Sequence, residues 1–207
     1  MIHAFSLEDI RNRTRLYDEP TKAVGILLAR PSVEIVKNEI LPDINYFYHR
    51  SGRYIDFFLP GYGAYWYGNY PDEVNVCKVA GVNWSYSDLM FCKFIAELES
   101  VSKWRYNGET ELIIIDSQRG TLNFSNTLSI WIEAAITDRA IISVRNFFES
   151  LIRISRSMIE TSEIGNVHLV KSASSSIIEN IIDKLPFNVG TTLLRTKYFV
   201  RRNLAIE

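Results

Sequence analysis

Two acidic residues stand where a sheet-based site would place them. Asp56 lies within the apolar stretch 53–59, and Asp116 ends the apolar stretch 110–116. If both stretches are strands, ligands would gather near their ends, as they do at the carboxyl ends of strands in open parallel sheets. Two carboxylates in one place could bind a divalent metal or act as acid and base. The simpler interpretation is structural: Asp116 caps a turn and Asp56 pairs with a nearby arginine.

Aromatic residues are concentrated in one part of the chain. Residues 46–86 hold thirteen of its 26 Phe, Trp and Tyr residues. Rigid aromatic side chains supply much of the energy in binding sites, and they can also stack on nucleic-acid bases. We therefore predict a long irregular segment over 60–84, rich in glycine and proline, and a contact surface at its loop 60–70; a loop packed on itself is the alternative. The predicted binding residues in this segment are Tyr62, Tyr65, Trp66, Tyr67 and Tyr70.

Standard catalytic, cofactor and metal motifs are missing from the sequence. Gly61-Tyr62-Gly63 lacks the third glycine and the helix of a dinucleotide-binding turn, and no P-loop, H-E-x-x-H or G-x-S-x-G occurs. Cys77 and Cys92 do not form a C-x-x-C, and the three histidines show no metal-ligand spacing. We predict two reduced thiols, no metal site and no cofactor.

The apolar runs that must position these residues predict a mixed sheet flanked by helices. A helical pattern interrupted by Pro42 separates the first two runs, so a parallel pair with a right-handed crossover is expected. A short turn joins the last two runs, which predicts an antiparallel hairpin. The predicted strands lie near 22–29, 53–59, 110–116 and 121–124.

Helices are expected to begin at three polar signals. Ser6 and Asp9 have the spacing of a capping box, and Ser85 with Asp88 opens a second helix. Ser125 or its neighbour Asn126 is expected to cap a third, directly after the last predicted strand.

Residues 1–160 are predicted to form an α/β core domain, with 161–207 as a C-terminal extension packed on it. The order β-α-β followed by α-β-β-α resembles that of a thioredoxin-like fold. The resemblance is one of topology alone, because Ala29-Arg30-Pro31-Ser32 stands where thioredoxins carry C-x-x-C. It therefore implies no redox activity.

Charge and hydropathy exclude several classes of protein. The 23 basic and 24 acidic residues nearly cancel, so the net charge favours neither nucleic acid nor an anionic membrane. The apolar runs are far shorter than a membrane span, and the N-terminus does not have the pattern of a secretory signal. We expect a cytoplasmic location and no membrane contact. Two small basic clusters could form a patch for phosphate or an acidic partner, but solvated surface is the favoured interpretation: Arg11, Arg13 and Arg15, and then Arg195, Lys197, Arg201 and Arg202.

Together these features predict a binding or interaction protein that contacts a protein partner or a second copy of itself through the segment 60–70. The missing catalytic set favours this function. The alternative is a nucleotide- or nucleic-acid-processing enzyme or sensor that uses Asp56 and Asp116, with the aromatic segment stacking on the base. An acid in or at the end of each of two strands favours the alternative, and the sequence leaves open whether the protein is an enzyme.

Overall fold

The computed structural model describes residues 2–4, 6–16, 22–52, 55–164, 177–185 and 197–206. The strands in this part of the chain are β1 Ile2–Ala4, β2 Lys22–Leu28, β3 Ile55–Pro60, β4 Tyr62–Ala64, β5 Val74–Val79, β6 Val82–Tyr86, β7 Glu111–Gln118, β8 Thr121–Trp131 and β9 Phe199–Arg202. The α-helices are α1 Leu7–Arg15, α2 Ile44–Arg50, α3 Asp88–Val101, α4 Ile132–Thr137, α5 Val144–Ile164 and α6 Ile177–Lys184.

A six-stranded mixed sheet forms the centre of the fold, in the order β1-β3-β2-β7-β8-β9. The strands β1, β3 and β2 run parallel, whereas β7, β8 and β9 join by antiparallel pairing. Residues 23–28 of β2, all of β3 and residues 111–117 of β7 are buried, as expected for strands covered on both faces. The predicted fold class, a mixed sheet flanked by helices, is confirmed, and so is the parallel pairing of the first two predicted strands.

The crossover between β2 and β3 changes its helical geometry at Pro42. A π-helical turn spans Val36–Ile40, a 3-10 turn spans Leu41–Asp43, and regular α-helix begins at Ile44. Proline removes a backbone donor and forces this interruption, as predicted. The helix α2 ends at Ser51-Gly52, where Gly52 has a φ of 91° that favours glycine.

The fourth predicted strand is longer than expected, and the prediction of a helix capped at Ser125 or Asn126 is wrong. The strand β8 continues to Trp131, and α4 begins only at Ile132. Leu128 and Ile130 are both fully buried in the sheet. Two apolar residues at i and i+2 suit a strand as well as the start of a helix, and pairing with β7 and β9 decides in favour of the strand.

The predicted irregular segment 60–84 is largely a second, three-stranded antiparallel sheet, in the order β4-β6-β5. Its hairpin turns at Ala80-Gly81, whose φ angles of 50° and 82° fit a two-residue turn with both φ positive. The prediction of an irregular segment is therefore wrong for 62–64 and for most of 74–84. The residues that remain irregular are 65–73, which connect β4 to β5.

Helices cover both faces of the large sheet. Arg13 of α1 reaches Asp56, whereas Phe148 of α5 packs on the next residue of the same strand, Phe57, at 5.0 Å between ring centroids. Since successive strand residues point to opposite faces, α1 and α5 lie on opposite sides. The helix α3 contacts α1, and α6 contacts α5.

The C-terminal part of the chain contributes to the same layers. The helix α6 contacts β2, β7 and β8, and β9 pairs with β8 as an edge strand. The division into 1–160 and 161–207 and the thioredoxin-like topology stay predictions. Among the described residues, no helix combines the length and the apolar composition that crossing a membrane would require.

Candidate functional site

A cavity of about 600 Å³ opens between the β1–β3 edge of the large sheet and the small sheet. We call it the tyrosine cleft. Its walls come from β1, α1, the end of α2, the start of β3, the end of β4 and the β5–β6 hairpin. Half of the lining residues are apolar or small, and the other half carry a functional group: Arg13, Tyr48, His49, Asp56, Tyr65 and Trp84.

Asp56 lies at the floor of the tyrosine cleft. Its side chain is only 1% exposed, and its Oδ2 is 4.0 Å from Nε of Arg13, whose side chain is 51% exposed. A buried carboxylate needs compensating partners, and Arg13 supplies an opposite charge at ion-pair distance. The charged group that a ligand meets first is therefore Arg13.

The three arginines of α1 divide between two sides of the helix. Arg15 pairs with Glu8 at 3.0 Å, and Arg11 lies 3.7 Å from the same carboxylate. Residues four apart share a helix face, whereas a residue two positions away points to the other side. Arg13 therefore lies on the cleft side of α1, whereas Arg11, Arg15 and Glu8 form their ion pairs on the other side.

The last turn of α2 places an imidazole and a phenol at the rim. His49 and Tyr48 are exposed, and their ring centroids lie 5.2 Å apart in an edge-on arrangement. The helix ends just after them, where the Ser51 hydroxyl donates to the Phe47 carbonyl at 2.6 Å. The β5–β6 hairpin is fixed to the same helix, because the Ala80 N–H donates to Asn45 Oδ1 at 2.8 Å.

The mouth of the cleft carries an exposed tyrosine in an unfavourable backbone conformation. Tyr65 has a φ of 62°, and Tyr67, two residues on, has a φ of 53°. Their side chains are 64% and 85% exposed, with ring centroids 6.2 Å apart. The left-handed region costs an L-residue about 1–2 kcal/mol, so the turn holds two rings outward at an energetic cost.

Two of the five tyrosine and tryptophan residues predicted for binding are core. Tyr62 is fully buried, and its hydroxyl donates to the Ala29 carbonyl at 2.8 Å. Burial raises the pKa of Tyr62 well above its ordinary value. Trp66 is 5% exposed, and its ring packs edge-on against half-buried Tyr70 at 4.8 Å. Tyr65 lines the cleft, and Tyr67 is the other ring that the structure leaves exposed.

Asp116 does not join this site. Ala23 of β2 is its partner in the sheet, whereas the next residue, Val24, is the partner of Asp56. Because neighbouring positions of β2 face opposite ways, the two carboxylates lie on opposite faces of the sheet. Asp116 accepts instead from the Asn126 amide at 3.2 Å, on the face covered by α5 and α6.

The hydrogen bond between Asn126 and Asp116 is part of a polar network that connects β8, β9 and α6. Arg201 donates to Asn126 Oδ1 at 2.8 Å and pairs with Glu179 of α6 at 3.1 Å. One member of the second basic cluster thus has a structural role. Arg195, from the same cluster, lies outside the described residues.

A second polar cluster follows the carboxyl end of β2. Arg30 pairs with Asp88 at 3.0 Å, and its guanidinium lies over the ring of Phe91, 4.9 Å from the centroid. Burial is the largest single influence and lowers the pKa of Arg30, but the carboxylate of Asp88 and the other neighbouring groups together outweigh it, and the pKa is raised. Arg30 Nη2 lies 3.5 Å from Sγ of Cys92. These contacts anchor β2 to the start of α3.

Of the residues that line the cleft, the sequence analysis named Asp56 and Tyr65 but not Tyr48 or His49, and for Arg13 it favoured solvated surface over a phosphate patch. One signal in the sequence could have distinguished Arg13 from Arg11 and Arg15: it lies two positions from each, so it must point to the other side of α1. Among the described residues, no cluster of three or more His, Cys, Asp or Glu side chains could hold a metal ion. Comparisons with family models, curated proteins and solved structures find no match.

Proposed function

We propose that the chain is a cytoplasmic binding protein whose ligand enters the tyrosine cleft. The observation that carries the proposal is the pair Tyr65 and Tyr67, two exposed rings held at positive φ beside the cleft. Glycine or asparagine would fill such positions at lower cost. Strained backbone of this kind concentrates at functional sites, because a gain in function offsets its cost.

The shape and lining of the cleft support a small ligand. A volume of about 600 Å³ falls within the range of about 300–1,000 Å³ that is typical of small-molecule sites. Apolar walls with a few convergent polar groups are also typical of such sites. Here the apolar walls come from β1 and the β5–β6 hairpin, and the polar groups come from α1, α2 and β3.

A contact with a protein partner or a second copy is the second candidate, and Tyr67 favours it. Its ring is 85% exposed and is not part of the cleft lining. Tyrosine supplies a large contact area with only two side-chain torsions to order, which suits an interface. The enzyme alternative is weaker in its two-acid form, since Asp56 and Asp116 lie on opposite faces of the sheet.

The experiment combines a thermal-shift screen with sedimentation velocity. The screen uses nucleotides, amino acids, organic acids, amines and short peptides, each tested on the wild type, on Tyr65→Ala and on Leu89→Ala. Leu89 is 57% exposed on α3 and does not line the cleft, so it serves as the matched control. We expect at least one class to raise the melting temperature of the wild type and of Leu89→Ala but not of Tyr65→Ala.

Sedimentation velocity tests the second candidate with Tyr67→Ala. A dimer that dissociates in Tyr67→Ala and persists in Leu89→Ala would support the contact between copies. A monomer at all concentrations, combined with a screen in which no class distinguishes Tyr65→Ala from the control, would contradict the proposed function.

A further inference from the structure

The charges around the tyrosine cleft are arranged asymmetrically. The half-exposed Arg13 side chain and the exposed His49 side chain line it, whereas Asp56 is 1% exposed. Among the described lining residues Asp56 is the only acid, and its carboxylate is turned to Arg13. A ligand that enters therefore meets positive charge and N–H donors before it meets the carboxylate.

The position of Asp56 makes it a positioning residue for Arg13. Its carboxylate oxygen lies opposite Nε of Arg13, at 4.0 Å. The guanidinium fork has five N–H donors in one plane and can bind a carboxylate or phosphate through two parallel hydrogen bonds. Arg11 and Arg15, which share α1 with Arg13, instead lie against Glu8.

Aromatic rings flank the same opening. Tyr48 and Tyr65 are 40% and 64% exposed, and Trp84, at 6%, forms part of the wall. An exposed tyrosine face stacks on a planar ring whatever the substituents of that ring, as it does on bases. The two exposed tyrosines of the cleft come from α2 and from the turn after β4, so a flat ligand can meet one ring from each element.

From these features we infer that the tyrosine cleft binds an aromatic anion, which is a planar ring that carries a phosphate or carboxylate group. The ring contacts Tyr65, and the anionic group binds Arg13 with His49 as a second donor. A nucleoside monophosphate and an aryl carboxylate share this chemistry. The inference rests on the proposed function, because it assigns the class of ligand to the same cleft.

The test is isothermal titration of the full chain with five probes: AMP, phenylacetate, adenosine, inorganic phosphate and tyramine. The variants are Arg13→Gln, which removes the cleft cation, and Arg11→Gln, which removes the same charge from α1 outside the cleft. We expect AMP or phenylacetate to bind the wild type, and whichever binds more tightly identifies the anionic group. Its dissociation constant should rise about tenfold or more in Arg13→Gln and stay unchanged in Arg11→Gln.

Two further variants keep the inference testable if Arg13→Gln fails to fold with Asp56 left buried. His49→Gln and Tyr65→Ala alter exposed side chains, and each should weaken binding severalfold. Adenosine and inorganic phosphate should each bind more weakly than AMP, because each lacks one half of the recognised chemistry.

Several results would overturn the inference. Tyramine that binds where AMP and phenylacetate do not would show a cation site, and the proposed binding function would stand while the ligand class fails. Equal losses in Arg13→Gln and Arg11→Gln would show nonspecific charge attraction. If none of the five probes binds, the ligand class is wrong, and the thermal-shift screen and sedimentation decide the proposed function separately.

Discussion

Replacement of Tyr67 by glycine should make the protein more stable, although it removes a large aromatic side chain. Tyr67 has a φ of 53° and is 85% exposed, so its ring buries little surface. Relief of the left-handed conformation contributes about 1–2 kcal/mol. The larger conformational entropy of glycine in the unfolded chain takes back about 0.4–1 kcal/mol.

The balance is a stabilisation of about 0.5–1 kcal/mol. For a chain of 207 residues this corresponds to a rise of about 1–4 °C in melting temperature. The assays are differential scanning calorimetry and urea unfolding. The same variant should lose any contact that depends on the ring, so stability and binding should move in opposite directions.

Two control variants separate the backbone from the side chain. Tyr67→Ala removes the ring and keeps the unfavourable φ, so its stability should stay close to that of the wild type. Gly68→Ala places a side chain at a φ of 82°, a conformation that glycine adopts without strain, and nothing lies within 4 Å of the added Cβ. We expect its free energy of unfolding to fall by about 1 kcal/mol. If Tyr67→Gly unfolds more easily than Tyr67→Ala, the turn is not strained at this position.

The burial of three side chains determines the expected results of three other experiments. Trp66→Ala should cost about 3–5 kcal/mol in urea unfolding because Trp66 is core, and a loss below about 1 kcal/mol would contradict this. Iodoacetamide should alkylate exposed Cys92 well before Cys77, since burial raises the pKa of Cys77 to about 11; mass spectrometry of the labelled peptides gives the order, and equal rates would contradict it. Burial also raises the pKa of Glu111, so the folded state binds its proton more tightly than the unfolded state and stability falls as the pH rises through the raised pKa. Glu111→Gln should therefore gain stability relative to the wild type as the pH rises above about 4, where an ordinary glutamate ionises, and a difference that does not vary with pH would contradict this.

The large sheet could be predicted because its strands are continuous apolar runs between polar boundaries. The stretch around Val24 and the stretch around Ile114 are buried on both faces, so they contain few polar residues that could mislead. The small sheet could not be predicted in the same way. Its strand β5 is largely exposed, and its glycines resemble those of an irregular loop.

Which side chains reach the site depends on register and on long-range packing, neither of which local sequence reveals. Asp56 and Asp116 look equivalent in the sequence. Their partners on β2 are the adjacent residues Val24 and Ala23, however, so the two carboxylates lie on opposite faces of the sheet. Tyr65 and Trp66 are neighbours in one aromatic run, and one lines the cleft while the other is core. His49 joins the cleft only because the crossover returns the chain to β3 beside β1.

NMR of the chain with labelled tyrosine rings, titrated with AMP and with phenylacetate, tests most directly whether the tyrosine cleft binds an aromatic anion. Tyr65 and Tyr48 line the cleft, so their ring resonances should shift with saturation. Buried Tyr62 should stay unchanged, and so should Tyr106, which lies against the Arg30 guanidinium at 5.4 Å in the second polar cluster. Shifts at Tyr106 without shifts at Tyr65 would place the anion at Arg30 and contradict binding in the tyrosine cleft.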